Sequence, residues 1–117
     1  MPLRDWRLRI EDILESIEKI QRYTKGMSFE DFVADELVFD AVVRNISIIG
    51  EASNHIPERI QEQYPDVPWD EMRGIRNVLV HKYFGVSNTI LWHTINYNLP
   101  PLIPMLKAIL EANNEPR

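Results

Sequence analysis

The apolar residues at the start of the chain recur at three- and four-residue steps, the spacing of an amphipathic helix. Between Trp6 and Tyr23 this stripe consists of Ile10, Ile13, Leu14, Ile17 and Ile20. Gly26 is well placed to end the helix, because glycine readily adopts the left-handed conformation of a helix terminus. Ser28, followed three residues later by Asp31, resembles a capping box and predicts a short second helix. That helix would carry Phe29, Phe32 and Val33.

The stretch from Glu36 to Asn54 is rich in β-branched residues, yet it lacks turn residues and greatly exceeds a strand of about 5–6 residues. Its length therefore predicts a helix. Pro57 fits the first turn of a further short helix that reaches Tyr64, since proline loses no needed hydrogen bond there. The segment Pro65–Pro68 predicts a turn.

Three apolar patterns in the second half of the chain predict three more helices. The first has a buried stripe of Trp69, Met72, Ile75 and Leu79 and must end before Gly85. Ser87 can cap the next helix, which bears Ile90, Leu91 and Ile95. Pro100 and Pro101 separate it from a last helix built on Leu102, Ile103, Leu106, Ile109 and Leu110. The sequence thus predicts an all-α fold, an up-and-down bundle of four to five main helices in a single domain over residues 1–117.

Composition narrows the range of functions. The 117 residues are 44% hydrophobic, which suits one core, and the absence of cysteine excludes disulfides, thiolate metal sites and cysteine nucleophiles. No stretch approaches the roughly 18 apolar residues of a membrane span, and the start lacks the core of a signal peptide, so we expect a cytoplasmic protein. With 13 Lys and Arg against 18 Asp and Glu, the net charge of −5 restricts phosphate binding to a local site.

One helix end concentrates the groups suited to chemistry: Arg76, Asn77, His81 and Tyr83. Arg73 and Lys82 add positive charge, and no acidic residue interrupts this segment. On a continuous helix Asn77 and His81 share a face, so the amide can orient the imidazole. Arg76 and His81 would lie about 140° apart at 100° per residue, so Arg76 would have to reach by its length or act from a second subunit.

An imidazole and a guanidinium suit the cleavage of RNA. The imidazole can carry a proton to or from the 2′-hydroxyl or the leaving oxygen, and the guanidinium can offset charge that builds on the phosphorus. This scheme needs no metal or other cofactor. His55, His81 and His93 lack the spacing of a metal-binding motif. A plainer interpretation is that His81 and Arg76 are ordinary helix-end and surface residues and that Tyr83 anchors the turn.

The spacing Arg76, four residues, His81, one residue, Tyr83 resembles the signature of the HepT-like toxins in the HEPN superfamily. Three further stretches are similar to those proteins: residues 48–52, residues 64–69 and residues 81–86. In their usual order they extend the resemblance over roughly residues 14–110.

The resemblance implies an all-helical, metal-independent ribonuclease that forms a homodimer and acts as the toxin of a type VII-like toxin–antitoxin pair. It implies that Arg76 and His81 are catalytic, with Asn77 beside them, in a cleft shared by two subunits. It also implies a partner antitoxin, a minimal nucleotidyltransferase that transfers AMP from ATP to Tyr83. A bulky anion there would block the cleft.

A few other residues are candidates for the same cleft or for the dimer interface: Arg44, Glu51, Arg73 and Lys82. Arg44 and Glu51 share a face of the long helix, and an internal ion pair that positions helices is an equally good interpretation. Gly50 beside them is interpreted as a point of close packing. The alternative function, from another class, is a non-catalytic helical partner that regulates a nucleotidyltransferase.

Overall fold

Helices account for all the regular secondary structure in residues 5–80 and 88–113, the parts of the chain that the computed structural model describes. The helices are α1 (Trp6–Thr24), α2 (Phe29–Ala34), α3 (Glu36–Ser53), α4 (Glu58–Gln63), α5 (Trp69–Arg73), α6 (Asn77–Val80), α7 (Asn88–His93) and α8 (Leu102–Ala112). A π-helical turn over Thr94–Asn98 continues α7. The all-α prediction is confirmed, and the longest helical stretches are α1, α3, α8 and α7 with its π turn.

The centre of the fold is the long contact between α1 and α3, with α8 against α1 and α5 against α3. The predicted α1 stripe is confirmed, because its four isoleucines are fully buried: Ile10, Ile13, Ile17 and Ile20. From α3 they meet Val42, Ile46 and Ile49, which are equally buried. Asp5 caps α1 by accepting a hydrogen bond from the Arg7 N–H at 2.9 Å. Gly26 follows α1 with a φ of 78°, in the left-handed region predicted for it.

Helix α2 begins at the predicted capping box. The Ser28 hydroxyl accepts from the Asp31 N–H at 3.0 Å, and the Asp31 carboxylate accepts from the Ser28 N–H at 3.1 Å. The short helix then buries Phe32 completely. The Phe32 ring stacks on Trp92 of α7, with centroids 5.0 Å apart, so α2 joins α3 to α7.

The single helix predicted after Trp69 is wrong in one respect, since the chain breaks between α5 and α6. The predicted apolar stripe is nevertheless buried, with Trp69, Met72, Ile75 and Leu79 all in the core. At the break the backbone bonds span three residues, as in Asn77 N–H to Gly74 C=O at 2.9 Å. Gly74 explains the interruption, because glycine is a poor helix former. The break separates Arg76 from the residues of α5, and the angle predicted between Arg76 and His81 involves a residue outside the described ranges. The predicted end before Gly85 and the Ser87 cap lie outside the described residues.

The π turn after α7 was not predicted. The Leu99 N–H donates to the Thr94 C=O at 3.0 Å, five residues back. Pro100 and Pro101 follow and have no N–H to donate, so Leu99 is the last donor before the chain turns into α8. Within the described ranges, none of the helices has both the length and the apolar composition that crossing a membrane requires.

Candidate functional site

Arg76 and Asn77 lie where the chain passes from α5 into α6, and both side chains are exposed. The buried side chains of Ile75 and Leu79 flank them, 7% and 9% exposed. Two apolar anchors thus fix the backbone of this segment to the core, while the guanidinium and the carboxamide remain available to a ligand.

Arg76 reaches the solvent across Gly50 of α3. A Cβ atom placed on Gly50 would lie 3.3 Å from Cγ and 3.7 Å from Cδ of Arg76, and 3.4 Å from Cγ2 of Ile75. The aliphatic stem of Arg76 therefore rests against the α3 backbone, at a place where any larger residue would crowd it. The predicted close packing at Gly50 is confirmed, and its neighbour is the predicted catalytic arginine.

The turn before α5 is fixed by polar contacts. The Trp69 indole N–H donates to the Tyr64 carbonyl at 2.9 Å, and this closes the loop over residues 64–69. The Tyr64 hydroxyl in turn accepts from the Asn113 amide at 3.0 Å, just after α8. These bonds hold the start of α5, and through it the Arg76 segment, against the end of α8.

Asn77 lines a cavity of about 480 Å³ between the α5–α6 segment and the π turn. On one side are Ile75, Asn77 and Val78, and on the other are Asn98, Leu99 and Leu102. Most of its wall is apolar. No sequence pattern indicates this cavity, because its two walls are distant along the chain.

Arg73, a predicted cleft residue, has partners within the chain. Its guanidinium donates to the Gln61 side-chain oxygen of α4 and forms an ion pair with Asp70 of α5. These contacts link α4 to α5 and offset the charge of Arg73.

Arg44 and Glu51, the other predicted cleft residues of α3, are both exposed. Within the described residues they form no ion pair with each other, and Glu51 instead pairs with His55 one turn later, at 3.0 Å. The alternative interpretation, an internal ion pair between Arg44 and Glu51, is therefore wrong for these two described residues.

His81, Lys82 and Tyr83 lie outside the described residues, so the structure places only Arg76 and Asn77 of the signature. Of the remaining histidines, His55 bonds Glu51 and the His93 ring lies 4.8 Å from that of Tyr97. Over the ranges 5–80 and 88–113, no three His, Asp or Glu side chains are grouped so that they could hold a metal ion.

Comparison with known proteins identifies the class. Residues 13–109 match the protein family described as Ribonuclease HepT-like. A protein of Thermococcus cleftensis named "Probable ribonuclease HepT" is 44% identical over 93 residues, which cover 80% of this chain and 84% of that protein. The chain therefore belongs to the HepT-like ribonuclease family, as the sequence resemblance predicted.

Two further relatives support this assignment, and both are named as candidate RNases. One, from Caldanaerobacter subterraneus subsp. tengcongensis, is 43% identical over 87% of this chain and 91% of its own length. The other, from Methanocaldococcus jannaschii, is 39% identical over 95% of this chain and 92% of its own length. No solved structure gives a significant match.

Proposed function

We propose that this protein is a metal-independent endoribonuclease and the toxin of a toxin–antitoxin pair. One observation carries the proposal: in a chain of the HepT-like ribonuclease family, the first residue of the Arg76, His81, Tyr83 signature is exposed and its stem is packed against α3. A guanidinium fixed in this way can meet a phosphate without the loss of much side-chain freedom.

In the proposed reaction His81 accepts the proton of the 2′-hydroxyl of RNA, and the 2′-oxygen forms a bond to the phosphorus. The bond to the 5′-oxygen breaks, and that oxygen leaves with a proton from an acid, for which the second subunit's copy of His81 is available. Arg76 stabilises the charge that develops on the phosphoryl oxygens. Asn77 hydrogen-bonds the ring or the substrate beside it.

Cleavage is tested by expression in bacteria. Wild-type protein should arrest growth and degrade RNA, whereas His81→Ala and Arg76→Ala should be harmless at equal expression. Lys107→Ala, at an exposed position of α8, is the control and should remain toxic. If the wild-type protein and the variants were equally harmless, and purified wild type left RNA intact, the alternative of a non-catalytic partner would be favoured.

The homodimer is proposed because one copy of the motif supplies only one imidazole and one guanidinium. Mixing equal amounts of wild-type and His81→Ala chains tests whether each cleavage uses the imidazoles of both subunits. If it does, only the quarter of the dimers that are wild type in both subunits is active, and the mixture should have about a quarter of the rate of the same amount of wild-type protein. Subunits that act independently would give about half of that wild-type rate.

The proposed antitoxin is a nucleotidyltransferase that transfers AMP to Tyr83. The phenolic oxygen displaces pyrophosphate from ATP, and the added phosphate competes for the positive charge of the cleft. Incubation with the cognate enzyme and ATP, followed by peptide mass spectrometry, should locate AMP on Tyr83. Tyr83→Phe should remain unmodified and escape silencing, and AMP on any other residue would refute this part.

A further inference from the structure

The cavity beside Asn77 has the dimensions of a small-molecule site. Its volume of about 480 Å³ lies within the range of roughly 300–1,000 Å³ typical of ligand pockets. Its wall combines apolar side chains such as Ile75, Val78 and Leu99 with a few polar groups, which is the usual composition of such sites. Because Asn77 belongs to the signature, a ligand in the cavity would lie next to the proposed cleavage site.

Two carboxamides are available to that ligand. Thr94 also lines the cavity, but its hydroxyl already donates to the Ile90 carbonyl at 2.9 Å. The side-chain amides of Asn77 and Asn98, in contrast, have no hydrogen-bond partner among the described residues. Each amide has both a hydrogen-bond donor and an acceptor, so it can pair with the donors and acceptors on the edge of a nucleobase.

The charge at the cavity determines which part of a nucleotide can enter. Asp70 and Glu71 lie along its wall, and Asp70 is already paired with Arg73. The exposed Glu71 leaves the site acidic, so a phosphate would be repelled. A neutral base with an exocyclic amino group can instead donate a hydrogen bond to the carboxylate.

An exposed aromatic pair lies next to Asn98 along the chain. Tyr97 immediately precedes Asn98 and is 70% exposed, and its ring lies 4.8 Å from that of His93. The two rings belong to the end of α7 and to the π turn, a local structure that is frequent at functional sites. Exposed rings of this kind stack on bases of single-stranded RNA.

We propose that the cavity binds one amino-bearing base of the RNA substrate, with Asn98 and Glu71 on its edge, while the Tyr97–His93 pair stacks on the neighbouring base. The identity of this ligand rests on the ribonuclease function proposed above. The site would give the enzyme a preference for cytosine, adenine or guanine over uracil beside the cleaved bond.

Binding of uncleavable RNA tests this site separately from catalysis. The probes are fluorescein-labelled 2′-O-methyl heptacytidylate and heptauridylate, two pyrimidine strands that differ in the exocyclic amino group. Wild-type protein should bind the cytidylate about fivefold more tightly, and Glu71→Gln should largely remove this difference. Tyr97→Ala should weaken the binding of both strands about tenfold. Asn98→Ala should weaken cytidylate binding about threefold.

Asn96→Ala is the matched control. Asn96 is exposed in the same π turn, but its amide donates to the Trp92 carbonyl at 2.9 Å, so this variant should bind as wild type does. If Glu71→Gln, Tyr97→Ala and Asn98→Ala also bound both strands as wild type does, the site would be refuted. It would equally be refuted if Asn98→Ala changed the monomer–dimer equilibrium, since a second copy would then occupy the cavity.

The ribonuclease function and the base site are refuted by different results. A chain that binds cytidylate through these residues, but cleaves no RNA in the growth and purified-protein assays, would refute the ribonuclease and leave the base site standing. A chain that cleaves RNA with the same base preference in wild type and in Glu71→Gln would refute the base site alone.

Discussion

At the scale of single residues, a glycine positions the proposed catalytic guanidinium. Arg76 lies in a turn between two short helices, and such a segment offers little rigidity of its own. The aliphatic part of its side chain packs against the α3 backbone at Gly50, which is buried, and this packing restricts its motion. Orientation of this kind matters for rate, because a displacement of about 1 Å can cost on the order of a hundredfold in catalysis.

Gly50→Ala should therefore reduce RNA cleavage about tenfold while changing stability little. Alanine in a helix interior is favoured over glycine by about 0.5–1 kcal/mol, and this gain offsets the crowding of the new methyl group against Arg76 and Ile75. The rate of cleavage of a labelled RNA and the thermal midpoint of the same preparation provide the two measurements.

Gly26→Ala is the matched control with the opposite expectation. Gly26 has a φ of 78° and open space around its Cβ position, so alanine there costs stability through the backbone alone. It should lower the thermal midpoint by several degrees and leave cleavage at room temperature unchanged. Equal losses of activity in both glycine variants would contradict the proposed role of Gly50.

At the scale of elements, α2 is a short helix whose contribution depends on its cap. With six residues it is too short to be stable alone, yet it delivers Phe32 to the core and to Trp92. Ser28→Ala removes one half of the capping box and should lower the free energy of unfolding by about 1 kcal/mol. Urea denaturation measures this change, and Glu30→Ala, exposed on the same helix and outside the cap, should have a smaller effect. A cap that contributes nothing would make the two variants indistinguishable.

The elements also show which features a sequence can predict. The α1 stripe, the capping box at Ser28 and the end at Gly26 involve residues near one another in the chain, and all three are confirmed. The break at Gly74 and the π turn were missed, because an isolated glycine or a following proline is compatible with several local geometries. The packing of Arg76 on Gly50 joins residues 26 positions apart, so the sequence could indicate close packing at Gly50 but not the neighbour.

At the scale of the whole molecule, the charge distribution opposes broad contact with RNA. The net charge is −5, and several cations are paired within the chain: Lys19 with Glu15, Arg22 with Glu18, and Arg73 with Asp70. Arg76 and Arg44 are exposed, and neither has an ion-pair partner within the described residues. Contact with the phosphate backbone should thus depend on few groups.

The salt dependence of RNA binding measures how many phosphates the protein contacts. For single strands each neutralised phosphate contributes about −0.7 to the slope of log K against log salt, so a site with two or three contacts should give a slope of about −1.4 to −2.1. Arg44→Gln should make the slope shallower by about 0.7 if Arg44 lies in the cleft, as the sequence predicts. Arg59→Gln, exposed on α4, is the control and should leave the slope unchanged. A slope steeper than about −3 would mean that RNA follows a wider surface, and an unchanged slope in Arg44→Gln would place that arginine outside the cleft.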